Sequence, residues 1–130
     1  MRLTRVAGTV GALAVAAGAF GAHWLSSRVD PALMEAYRTG VQYHLLHSVA
    51  LLALGLHQER TEQAAAVSAL SAKLMLTGVL LFSGSLYALA LTGIVQFGYL
   101  TPLGGLLLIA AWLQIARTIN WTTPQSTKRQ

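Results

Sequence analysis

Residues 74–116 read LMLTGVLLFSGSLYALALTGIVQFGYLTPLGGLLLIAAWLQIA, a run of 43 residues with no Asp, Glu, Lys, Arg or His. A helix of about 20 residues crosses a hydrocarbon layer about 30 Å thick, so the run is long enough to cross twice. It contains one break, Thr92-Gly93-Ile94-Val95-Gln96-Phe97-Gly98, with a turn-forming glycine near each end. The stretch therefore reads as two apolar helices joined by a short connection.

The rest of the chain agrees. It has 130 residues, 55% hydrophobic and 10% charged, where soluble domains average about 25% charged. That length allows one compact unit. The balance of 9 Lys+Arg to 4 Asp+Glu gives a net charge of +5. The basic residues sit at the ends of apolar segments, where orientation signals and anionic lipid account for them, and no basic patch with interleaved aromatics suggests nucleic acid. There is no cysteine, which removes disulfides, thiolate metal sites and cysteine nucleophiles.

Four spans are expected, at about residues 6–25, 41–56, 67–91 and 101–119, within one membrane domain covering 1–119, followed by a polar, disordered tail at 120–130. Span 1 follows Arg2 and Arg5 in the manner of a signal peptide but runs on toward Trp24, longer than the usual h-region, and is read as a retained helix. It is dense in small residues, with Gly8, Ala12 and Ala16 repeating at i+4 and Ala14, Gly18 and Ala22 likewise. Such faces, with Gly84, Gly104 and Gly105 in the later spans, predict close helix packing. Asp30-Pro31 and Thr101-Pro102 each read as an N-cap followed by proline at the first helical position. Residues 32–39 are expected to form a short surface helix, with Gly40 marking its junction with span 2. Residues 57–66, holding Glu59, Arg60 and Glu62, read as a solvated linker.

With four spans, the termini and the middle linker share one side. That side carries Arg2, Arg5, Arg60, Lys73, Arg117, Lys128 and Arg129, against Arg28 and Arg38 opposite. The bias predicts cytoplasmic termini. Trp24, Tyr99 and Trp121 fall where interfacial aromatics belong.

The expected outer half of the bundle gathers the polar side chains: His23, Tyr43, His44 and His47, then Ser83, Ser85, Tyr87 and Thr101, with Arg38 just above. His44 and His47 are i,i+3 and share a helix face. Ionisable groups at membrane depth suggest function by default, and three imidazoles could hold a transition metal or, singly, a haem. A His–Tyr–Ser group could also pass protons. The simpler reading is that these groups hydrogen-bond across helices and hold the bundle together. The histidine pair lacks HExxH, no carboxylate lies in any span, and neither a GxSxG elbow nor a phosphate loop is present.

The segments 18–23 (GAFGAH), 39–47 (TGVQYHLLH), 82–87 (FSGSLY) and 101–105 (TPLGG) resemble the hallmark blocks of the YgdD-like family, a bacterial inner-membrane group of unknown function similar to the eukaryotic transmembrane protein 256. The resemblance covers about residues 6–119. It implies a small multi-pass protein of the plasma membrane and supplies no catalytic role, substrate or cofactor. Trp24 stands where the family pattern leads one to expect glycine, which predicts looser packing in the last turn of span 1.

The expectation is an all-α integral-membrane four-helix bundle with short loops. Its leading function is that of a non-enzymatic accessory or scaffold protein without a cofactor, whose partners are the bilayer, other membrane proteins or further copies of itself. A metal, haem or other ligand held by the outer histidines is the alternative, and passage of a small solute or protons a second one.

Overall fold

The computed structural model describes residues 2–60 and 62–118. Four helices account for nearly all of them: α1 (Leu3–His23), α2 (Pro31–Gln58), α3 (Glu62–Thr92) and α4 (Thr101–Thr118). Short 3₁₀ turns, Leu25–Ser27 and Val95–Leu100, form the connections at the end called upper here; the N-terminus and the α2–α3 turn mark the lower end. Three segments are long and apolar enough to cross a membrane: Leu3–Ser27, Glu62–Thr92 and Val95–Thr118. The 28-residue α2 has the length, but Glu35, Arg38, Gln42, His44 and His47 make its upper half the most polar of the four.

The helices form an antiparallel row rather than a closed ring. Each packs by close backbone approach on its neighbour in sequence, α1 on α2, α2 on α3 and α3 on α4, and among the described residues α1 and α4 do not approach one another. Glycines set these approaches. Along α1 and α2, a Cβ at Gly11 would lie 3.4 Å from Ser48 Oγ and one at Gly18 3.4 Å from Val41, both already in contact, and Gly55 faces the backbone of Thr4. Along α3 and α4, Gly78 receives Leu108 and Gly104 lies against the Phe82 backbone. One apolar cluster, Ala7, Leu51, Leu54, Met75, Val79, Leu108 and Ala111 among others, draws on all four helices toward the lower end. A second, Leu25, Met34, Tyr37 and Ala90, closes the upper end.

Several sequence expectations change. The surface helix at 32–39 does not exist as a separate element: α2 runs unbroken from Pro31, and Gly40 is a packing position against Leu86 and the Tyr87 ring instead of a junction. The linker shrinks to the residues between Gln58 and Glu62, because α3 begins five residues before the expected span. Asp30 does precede α2 in extended conformation, but without a side-chain cap bond. Thr101 is already helical, at φ −57° and ψ −47°, and its hydroxyl reaches α3 instead of its own backbone. At the break, Gly93 ends α3 with φ +69°, the left-handed conformation that glycine tolerates without penalty.

The small-residue stripe on α1 is also placed differently. Gly8, Ala12, Ala16 and Ala22 are exposed, and a Cβ at Gly8 would meet nothing within 4 Å. The contact face is Ala7, Gly11, Ala14, Gly18 and Gly21. A strict i+4 repeat advances 400° per step and winds off the seam, whereas alternating steps of three and four stay on it. Gly84 likewise faces open space. Gly21 packs against Tyr37 and Met34, so the last turn of α1 is close-packed despite Trp24, which turns outward and stacks on Phe20 with centroids 5.0 Å apart. Trp121, Ile119 and the polar tail lie outside the described residues.

Gly104→Ala must push its methyl into the Phe82 backbone and is expected to destabilise the protein by about 1–3 kcal/mol. Gly8→Ala, in open space, is expected to be neutral or to stabilise by up to about 1 kcal/mol. Thermal unfolding of the two variants in detergent compares them directly; equal shifts would contradict the packing described.

Candidate functional site

Between the two apolar clusters lies a layer of polar side chains, and most of them bond across helices. Ser83 on α3 donates from Oγ to the Gly40 carbonyl on α2 at 2.7 Å. That bond forms because Gly40 has no side chain: a Cβ there would sit 2.9 Å from the Tyr87 ring. One turn along α3, the Tyr87 hydroxyl meets His44 Nδ1 at 3.1 Å. Tyr37 donates to the Ala17 carbonyl on α1 at 2.6 Å and packs its ring on Tyr87 at 4.9 Å. A single layer thus joins α1, α2 and α3.

The second set ties α4 in. Ser85 Oγ donates to the Phe82 carbonyl of its own helix at 2.9 Å. Its single proton being used there, the Thr101 hydroxyl at 2.7 Å is the donor to Ser85. On α2, the His47 Nδ1 lies 2.7 Å from the Tyr43 carbonyl, an acceptor only, so Nδ1 carries the proton. Nε2 is then the acceptor and takes the Trp112 indole N–H at 3.2 Å. Both ring nitrogens of the buried His47 are engaged, and the Trp112 contact is a side-chain hydrogen bond joining α2 to α4. Tyr43 stacks between His47, at 5.8 Å, and Phe82, at 4.3 Å.

The expected cluster therefore divides. Tyr43, His44, His47, Ser83, Ser85, Tyr87 and Thr101 do lie in this layer, as two adjoining sets. His23 does not: it is exposed on the last turn of α1. Arg38 faces outward and pairs with Glu35 at 3.9 Å, both well exposed, a contact that contributes little. Among the described residues, no three His, Asp or Glu side chains come together as a metal set requires. Of the expected packing glycines, Gly18, Gly104 and Gly105 do meet neighbouring helices.

Sequence reasoning missed Tyr37, Phe82 and Trp112. Trp112 carried a usable signal, since an indole N–H deep in an apolar helix needs an acceptor. Tyr37 was hidden by its assignment to a surface helix. A groove of about 510 Å³ opens between α2 and α4, lined by Gln42, Tyr43, His47, Phe82, Gly105 and Trp112 among others.

The matching blocks of sequence fall on these elements. A family described as a protein of unknown function (DUF423) matches residues 17–105. The chain belongs to this family. It is 38% identical over 116 residues to the UPF0382 membrane protein YwdK of Bacillus subtilis, covering 88% of this chain and 94% of that one. A UPF0382 membrane protein of Haemophilus influenzae is 40% identical over 106 residues, 82% of this chain and 83% of the relative. One from Schizosaccharomyces pombe is 36% identical over 118 residues, 86% of this chain and 96% of the relative. No solved structure matches. The DUF423 match begins at Ala17, the acceptor for Tyr37, and ends at Gly105 beside Phe82, so it takes in all of the polar layer except Trp112.

Replacing Trp112 with Phe leaves His47 Nε2 an acceptor without a donor, and is expected to lower stability by about 1–2 kcal/mol. Trp24→Phe, at an exposed site, is expected to change it by less than about 0.5 kcal/mol. Chemical unfolding of both variants in the same detergent checks the difference.

Proposed function

We propose that this protein is a non-enzymatic accessory or scaffold protein of the bacterial plasma membrane that acts through its lateral surface, spanning the bilayer four times with both termini in the cytoplasm. The observation that carries this reading is where the polar groups point. Apart from the Tyr43 hydroxyl, the hydroxyls and imidazoles of the layer are bonded to neighbouring helices, as groups that hold a bundle together are. Little is left over for acid–base or nucleophilic chemistry.

What the protein presents outward is broad and apolar. Leu13, Val15, Leu46, Val49, Leu80, Leu106 and Leu113 are all more than half exposed, and the small residues Gly8, Ala12 and Ala16 share the outward side of α1. In a bilayer such a surface meets lipid or another helix. The membrane assignment is supported by the relatives' description as membrane proteins and by the three apolar segments. The orientation is supported by the excess of Lys and Arg at the lower end.

The other two readings have less behind them. A three-histidine metal site needs His23 near His44 and His47, and needs His47 Nε2 to release the Trp112 indole. A solute path needs polar groups through both halves of the bundle, and the lower half is filled by the apolar cluster around Met75 and Leu51.

Purification from native membranes in a mild detergent is expected to yield a stable complex with another membrane protein or a further copy; a lone monomer at every solubilisation condition would contradict the reading. The chain has no cysteine, so single-cysteine variants report orientation cleanly. A membrane-impermeant maleimide added to spheroplasts is expected to label Ser26→Cys and to spare Glu59→Cys. The reverse pattern would invert the topology.

A further inference from the structure

The groove between α2 and α4 differs from the rest of the membrane-facing surface. Its volume of about 510 Å³ falls within the range of small-molecule sites, about 300–1,000 Å³. Its walls are aromatic, with Tyr43 stacked on Phe82 on one side and Trp112 on the other. Gly105 keeps it open: a Cβ there would lie 3.7 Å from the edge of the Phe82 ring, so any larger side chain would cover that ring. No Asp, Glu, Lys or Arg lines it.

Two polar groups of the lining remain without partners. The Gln42 amide and the Tyr43 hydroxyl make no hydrogen bond among the described residues, although every other imidazole and hydroxyl of the layer does. They lie about one helical turn below Arg38, the last charged residue before the apolar part of α2. Both side chains are exposed, so an amide and a phenol beside an aromatic wall are open to a ligand that enters the groove from the side.

The chemistry of the lining selects that partner. A phospholipid headgroup is charged and would find no charged side chain within the lining. An acyl chain would leave the amide and the hydroxyl unpaired. We infer that the groove binds the ring head of a neutral, lipid-soluble amphiphile of the quinone type. Its planar ring packs on the aromatic wall, its carbonyl oxygens accept from the Tyr43 O–H and the Gln42 N–H, and its apolar tail continues into the bilayer. This site is independent of the partner reading above and can fail or stand without it.

The test uses the full chain in phosphatidylcholine nanodiscs, titrated with a decyl-substituted benzoquinone. The chain has three tryptophans; in a Trp24→Phe, Trp121→Phe background, Trp112 alone reports by fluorescence quenching. Saturable quenching at one quinone per protein is expected. Gly105→Leu is expected to weaken apparent affinity by about tenfold or more, and Tyr43→Phe, which keeps the ring and removes the hydroxyl, by about two- to tenfold. Circular dichroism and elution volume confirm that each variant folds; if Gly105→Leu does not, Tyr43→Phe decides. Quenching that rises linearly and equally in all variants reports partition into the lipid alone and overturns the proposal. So does quenching by phosphatidylcholine brominated on its acyl chains that the quinone fails to displace, since the groove would then hold lipid.

Discussion

The missing side chain at Gly40 allows α2 and α3 to approach until the Ser83 hydroxyl reaches a backbone carbonyl and the Tyr87 ring packs against the opposing helix. Everything above and below depends on that approach. Tyr87 can then bond His44 and support Tyr37, which in turn reaches α1. Between lipid-facing helices the hydrophobic effect gives no net attraction, because lipid tails are as apolar as leucine. Close van der Waals approach and cross-helix hydrogen bonds have to supply the cohesion, and the glycines of this chain make both available at the same places. The row of helices α1 to α4 follows, since each adjacent pair has its own glycine contacts.

Much of this was legible in the sequence. The uncharged run 74–116 identifies two apolar helices, Gly93 marks their break, and the polar residues of the family-like blocks do gather in one layer. What was hidden shares one cause: periodicity read on a single helix does not say which face meets which neighbour. The stripe at Gly8, Ala12 and Ala16 is real in sequence but points outward, while the seam at Ala7, Gly11, Ala14, Gly18 and Gly21 mixes steps of three and four. The amphipathic pattern of 32–39 was real too; it is one face of a long helix whose other face carries the buried Met34 and Tyr37. The His47–Trp112 bond joins residues 65 positions apart, a pairing no local pattern encodes.

The structure also separates polar groups that are used from those that are not. Apart from the Tyr43 hydroxyl, the hydroxyls and imidazoles in the layer are committed to neighbouring helices, as the groups of a framework are. The Gln42 amide and the Tyr43 hydroxyl, on the same helix, are uncommitted and border the groove between α2 and α4.

The polar framework rests most heavily on His47, whose two ring nitrogens are both engaged. Nitrogen NMR on protein selectively labelled at His and Trp, reconstituted in bilayers, tests this directly. The account predicts one His47 ring with a protonated Nδ1 and an unprotonated Nε2, the latter in through-space contact with the Trp112 indole N–H. A ring averaging between tautomers, or one lacking that contact, would contradict it.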